Sequence, residues 1–260
     1  MTGRFIKRAQ KSEDDMRTIV IFWCGFVAWT MCVPAGAAQG RGGEAPDRAA
    51  GRIVGRALVR GTPTPPARIH PDSECARIAT ADLYQEAVVA DAAGGLANVF
   101  VYVKDGLDPA SNLDTRVDPV VITQRQCRFE PHVLGVRVGQ PLAIVNEDPI
   151  LHNVHASPVM NPQFNIGQPL AGMRATRIFP RPEVMVPLTS DIRPWMAAFV
   201  GVVAHPLFAV SQSDGTFVIN GVPPGRYTME AWHETLGTAT VPVTVAQGRT
   251  ATISFTFAAR

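Results

Sequence analysis

The chain is 260 residues long and 46% hydrophobic, with 24 Lys and Arg against 22 Asp and Glu for a formal net charge of +2. A balance this close offers no basic footprint for nucleic acid or anionic lipid. The length and apolar share suffice for a sizeable core, in one large domain or two small ones.

Arg4, Lys7, Arg8 and Lys11 open the sequence, an uncharged apolar run follows over 18–33, and Pro34-Ala-Gly-Ala-Ala38 comes after it. A basic start, a short apolar centre and an Ala-x-Ala site predict a secretory signal peptide over 1–38. Met16-Arg17 offers a more compact start to the same signal. The run is short for a membrane span, which needs about 20 apolar residues; a retained anchor is the alternative. Cleavage near Ala38 would leave 19 basic and 19 acidic residues, and of the four cysteines only Cys75 and Cys127. In an oxidising compartment that even pair predicts a disulfide. It would close a loop of roughly 50 residues and stabilise by about 3 to 4 kcal/mol. Two free thiols, or a metal role for Cys127, are the other readings.

Residues 39–50 are rich in Gly, Arg and Ala without an apolar period and predict a flexible linker. A first strand is expected at 52–60, ended by Gly61-Thr-Pro-Thr-Pro-Pro66. Strands at 86–90 and 96–104 flank Asp91-Ala-Ala-Gly-Gly95. In the second, Val99, Val101 and Val103 point one way and Phe100 and Tyr102 the other, so both faces are to be covered. A polar loop occupies 106–119, and strands resume at 120–129, 133–138 and 141–145. Residues 157–181 show no clean period and read as a long loop. Strands return at 183–188 and 197–204, and a meander of strands at 216–220, 226–233, 239–245 and 250–257 closes the chain. Short strands between Gly and Pro turns, with no convincing amphipathic helix, predict an all-β antiparallel Greek-key sandwich with an additional C-terminal β-sandwich or meander.

Two stretches carry candidate chemistry. Val145-Asn-Glu-Asp-Pro-Ile-Leu-His152-Asn-Val-His155-Ala156 brings two histidines out of a strand-end turn, and Leu188-Thr-Ser190-Asp-Ile-Arg193-Pro194-Trp195-Met196 lies between two later strands. Their order over 87–204 resembles the cupredoxins, the blue-copper β-sandwich family. In that family an early His follows an Asn-containing strand end, and a later Cys-x-x-His-Pro-x-Met loop supplies the remaining ligands. The resemblance implies that His152 stands at the first ligand position and Met196 at the axial one. Ser190 then falls where the family has its Cys, and Arg193 where it has its second His. A hydroxyl cannot replace a soft thiolate, and a guanidinium has no lone pair to offer. The implied copper loop is therefore degenerate at Ser190 and Arg193. Arg193 is then expected to pair with Asp191, Glu147, Asp148 or an anionic ligand. The alternative is copper held by a rewired His and Met set including His152, His155 and Met196, with His132 and Met160 as further members.

Residues 208–257, with Asp214-Gly-Thr-Phe217, Val222-Pro-Pro-Gly225 and Tyr227, resemble carboxypeptidase regulatory-like and carbohydrate-binding-like β modules. That resemblance implies sugar binding through Trp195 and Trp232 as one alternative and buried core as the other. His233 and Glu234 are neighbours on a strand, so their side chains point apart, and His205 reads as a satisfied turn residue. There is no nucleophile elbow, no His-Glu-x-x-His helix and no glycine-rich phosphate loop before a helix. The expectation is a non-enzymatic, periplasmic or secreted protein with no membrane span after processing. Its domains are expected at 51–204 (cupredoxin-like) and 205–260 (regulatory-like), strand 52–61 being able to join either. Its expected partner is an envelope protein or a glycan.

Overall fold

In the computed structural model, which describes residues 50–111, 113 and 117–259, strand order follows from which faces are apolar. The expected signal peptide and most of the expected linker lie outside these residues. β1 spans Gly51–Arg60 and is followed by the helix α1, Ser73–Ile78, and by β2, Phe100–Asp105. Then come β3 Val120–Arg125, β4 Arg128–Glu130, β5 Val133–Arg137, β6 Pro141–Asn146, β7 His152–Ala156, β8 Phe164–Gln168 and β9 Arg174–Ile178. The remaining strands are β10 Glu183–Thr189, β11 Ala197–Val203, β12 Phe208–Val210, β13 Thr216–Val222, β14 Gly225–His233, β15 Gly237–Val245 and β16 Thr250–Ala258.

The strands form four sheets, ordered β13-β1-β16, β12-β2-β14-β15, β5-β11-β10-β7-β8 and β4-β3-β6-β9. The first two enclose one core, built on Ile53, Val101, Phe217, Met229 and Phe255. The last two enclose another, built on Ile122, Phe129, Ile144, Val154, Leu188 and Val200. The all-β expectation holds, with one helix of six residues added. Most pairings are antiparallel, but β1 with β16, β11 with β5 and β3 with β6 run parallel.

The alternation read in 96–104 is realised. Val101 and Val103 enter the first core, while Phe100 and Tyr102 enter a third apolar cluster with Val133, Phe199, Val203, Phe208 and Trp232 at the seam between the two sandwiches.

Sheet membership moves the expected boundary. β1 lies between β13 and β16, and β2 lies between β12 and β14, so strands before residue 111 complete the C-terminal module. The two-sheet unit that holds the candidate loops runs from β3 to β11, rather than over 51–204. The physical reason is that β1 and β2 are apolar on the faces that the C-terminal meander leaves open. Two local readings also change: 86–90 is no strand and contributes only the bridge Ala90 to Leu96, and 157–181 holds β8 and β9.

Candidate functional site

β6 ends at Asn146, whose side chain ties the turn to β7: its Nδ2 donates to the carbonyls of Ile150 (2.9 Å) and Gln168 (2.8 Å), and its Oδ1 accepts the Asp148 N–H (2.9 Å). That fixes Asp148 and delivers His152, fully buried, at the start of β7. The Asp148 carboxylate accepts N–H groups of Gln126 (2.7 Å) and Cys127 (2.9 Å) and the Nε2–H of His152 (2.8 Å). Burial alone would raise the Asp148 pKa, but the His152 bond and the two backbone donors outweigh it, and the net shift is downward.

His155 is three residues on, on the other face of β7, where its Nδ1 meets Asp191 at 2.9 Å. That hydrogen bond first, then one from Asn165, holds the Asp191 carboxyl below the usual range. Thus β7 separates the two histidines that the sequence placed in one candidate set. Met196 is buried in the apolar core, and Met160 is half exposed.

The loop between β10 and β11 is organised by Asn153, whose Oδ1 accepts the Ser190 hydroxyl (2.8 Å) and the N–H of Asp191 (3.0 Å). Ser190 Oγ in turn accepts the Arg193 N–H at 3.1 Å. This small tight loop aims Arg193 inward, and its side chain is 1% exposed.

The guanidinium has partners on every side. Its Nη1 donates to the Leu151 carbonyl and faces His152 Nδ1 at 3.4 Å. Its Nη2 donates to Glu74 (2.9 Å), and its Nε lies 3.1 Å from the Asp72 carboxylate and 2.8 Å from Cys75 Sγ. The carboxylate partners are therefore Asp72 and Glu74, at the start of α1, and not Asp191, Glu147 or Asp148. Cys75 and Cys127 form the expected disulfide, with Cα atoms 5.9 Å apart, which ties α1 to the turn between β3 and β4. Sequence reading missed Asp72 and Glu74. The available signal was their placement around a cysteine already expected to be tied to the sandwich.

The donor set decides what fits. His152, Ser190, Arg193 and Met196 supply one imidazole, one hydroxyl, one guanidinium and one thioether, and the imidazole Nδ1 faces an N–H donor of Arg193. A hydroxyl offers no thiolate, and a guanidinium has no lone pair to offer. Among the described residues, one group of three ligand-type side chains has its atoms within 4.8 Å of one another: Cys127, Asp148 and His152. Its sulfur is spent in the disulfide, and the His152 nitrogen aimed at Asp148 carries the proton it donates. That group is a hydrogen-bonded structural cluster and offers no thiolate.

Trp195 donates its Nε1–H to the Cys127 carbonyl at 3.1 Å, and the Trp232 ring packs on Phe199 at 5.1 Å between centroids. Both tryptophans are partly buried. His205 donates to the Val103 carbonyl at 2.9 Å, as a satisfied turn residue does. His233 accepts the N–H groups of Thr235 (3.3 Å) and Leu236 (3.2 Å) on its Nδ1, and burial pushes its pKa down to about 4. Among the described residues, no helix is long and apolar enough to cross a membrane.

Residues 193–258 match the model of the carboxypeptidase regulatory-like domain. No match is found among curated proteins. Among solved structures, a copper-containing nitrite reductase from Thermus scotoductus SA-01 is similar at 24% identity and a TM-score of 0.30, over 37% of this chain and 24% of its own. This chain thus spans about a quarter of that reductase. A purple cupredoxin from Nitrosopumilus maritimus is similar at 22% identity and a TM-score of 0.27, over 32% of this chain and 97% of its own. A Cu(I) amicyanin variant is similar at 17% identity and a TM-score of 0.29, over 39% of this chain and 97% of its own.

Proposed function

We propose that this chain is an exported, non-enzymatic binding protein: a cupredoxin-like sandwich whose copper position is filled by its own arginine, joined to a regulatory-like β module. The observation that carries the reading is the Arg193 side chain, 1% exposed and hydrogen-bonded among His152, Leu151, Cys75, Asp72 and Glu74. A fixed cation at that position repels a metal ion, and its five N–H donors use the lone pairs a metal would need. The groups that would hold copper instead hold the loop and α1 together. What remains for function is surface presented by a stiff frame, and the partner is an envelope protein or a glycan. The intramolecular disulfide suits an oxidising compartment.

The test is metal content of the protein exported into a periplasm, followed by titration with Cu(I) and Cu(II), beside His152→Ala and the double change Ser190→Cys with Arg193→His. The expected result is no stoichiometric copper in the wild type and a blue thiolate absorption in the double change alone. Stoichiometric copper in the wild type that disappears with His152→Ala would overturn the reading in favour of a rewired site. Recovery of an envelope protein or a glycan in pull-down then identifies the partner.

A further inference from the structure

The seam between the two sandwiches contains a polar pair that the site above does not use. His132 lies between β4 and β5, on the edge of one sandwich, with its side chain 7% exposed; Glu234 follows β14 of the other, 12% exposed. The His132 Nδ1 is 3.0 Å from the Ala197 carbonyl oxygen, and its Nε2 is 3.1 Å from Glu234 Oε2. Both ring nitrogens therefore face acceptors. A neutral imidazole carries one N–H and one lone pair, so it satisfies one of these contacts and opposes the other; the imidazolium satisfies both.

The remaining charged groups around the ring are set the same way. Glu86, on the loop before β2, has a carboxylate oxygen 3.9 Å from Nδ1, and Arg128 of β4 holds that oxygen at 3.1 Å. His233 of β14 also feels the charge of His132, and its own hydrogen bonds keep it an acceptor at Nδ1. The Phe199 ring stands edge-on to His132 at 5.6 Å. A cavity of about 80 Å³, lined by Tyr84, Glu86, Arg128, His132, Trp195 and Glu234 among others, lies beside the pair.

We infer that His132 and Glu234 form a proton-operated latch across one end of the seam, closed when the imidazole is charged and loosened when it is neutral. Burial lowers the His132 pKa, but the hydrogen bond and charge of Glu234 and the charge of Glu86 outweigh it, and the net shift is upward from 6.5. With the folded value raised, the latch's contribution is fully present below the unfolded value and is lost as pH rises through the folded one. An exported protein would be held most firmly in mildly acid surroundings.

The experiment has two readouts on the full exported chain. The His132 ring protons are followed by NMR as pH rises, and urea-unfolding midpoints are measured from about pH 5 to about pH 9 for the wild type, Glu234→Gln and His132→Gln. The expected results are a His132 pKa above 6.5 in the wild type and a lower one in Glu234→Gln. The Glu234→Gln midpoint should fall below the wild type in acid and meet it in base, because a glutamine amide can donate to the neutral ring where a carboxylate opposes it. His132→Gln should lose the pH-dependent component. A wild-type His132 pKa at or below 6.5, or midpoint curves that run parallel at every pH, would overturn the latch. Should either variant fail to fold, the wild-type titration alone decides.

Discussion

Arg193 shows how one buried charge can hold a loop in shape, with its side chain 1% exposed and its guanidinium shared among the Leu151 carbonyl, Asp72 and Glu74. Its charge is buried against two carboxylates that are about half exposed, so the pair with Asp72 and Glu74 is only partly desolvated. Removing the guanidinium strands the Leu151 carbonyl and the His152 Nδ1 with no donor. We expect Arg193→Met to lower unfolding stability by about 2 to 4 kcal/mol in urea titration, with Arg193→Lys in between, since an ammonium lacks the planar fork. A cost below about 0.5 kcal/mol would show that the arginine is filler. Asp148 carries the second residue-scale prediction. Its carboxyl is held below 3.8, so its stabilisation is present above that value and is lost as pH falls through the folded one. Asp148→Asn should unfold more easily near neutrality and show a flatter acid limb in urea midpoints taken from about pH 7 to about pH 3. An acid limb as steep as the wild type would assign acid lability elsewhere. Ser190 and Arg193 were legible in the sequence as members of a short loop between two strands, where the structure places them. The Arg193 partners were not, because they lie about 120 residues away on a segment whose own pattern, a six-residue helix, is too short to show a period.

At the scale of elements, the seam is built by two facing glycines. Gly135 of β5 and Gly201 of β11 are register partners, and a Cβ on either would overlap the ring of Phe208 or Phe100. The bare backbone of these two strands thus forms the floor on which β2 and β12 lay their aromatics. Gly201→Ala is expected to cost about 1 to 3 kcal/mol by overpacking, with part of the loss recovered when Phe100→Leu is added. Additive losses in the double change would mean that the two sites do not touch. Legibility tracked burial here. β2 alternates cleanly because both its faces are covered, and it was read correctly from its valines and aromatics. β9 was missed because four of its five residues are exposed, as befits an edge strand with no face to bury. The reading of 86–90 as a strand failed for the converse reason: its apolar residues pack on the core from a loop.

At the scale of the whole molecule, the chain is interleaved, and this sets what can be cut. β1 is central in the sheet β13-β1-β16, and β2 is central beside β14, yet the match to the regulatory-like domain covers only 193–258. A fragment of those residues keeps β13 and β16 without the strand between them, and leaves Phe217, Ile219, Ile253 and Phe255 without the Ile53, Ala57 and Val59 that share their core. Sheet pairing is set by faces that must be buried together, so sequence adjacency is a poor guide once a central strand arrives from the other end of the chain. The fragment 193–258 made alone should therefore give no cooperative thermal transition and bind a hydrophobic dye, while the chain from residue 50 onward unfolds cooperatively. A sharp transition from the short fragment would show that β1 is dispensable. The disulfide gives a matching test from the other sandwich. Its cysteines are 52 residues apart, so replacing both by alanine should cost about 4 kcal/mol. That loss should be largest where α1 rests on Arg193: hydrogen exchange at the Ala76 and Ala79 amides, which α1 protects, should quicken before exchange in β14 does. Equal acceleration at both places would mean that the two sandwiches unfold as one body, and that the seam, with its aromatics and its latch, is as strong as either core.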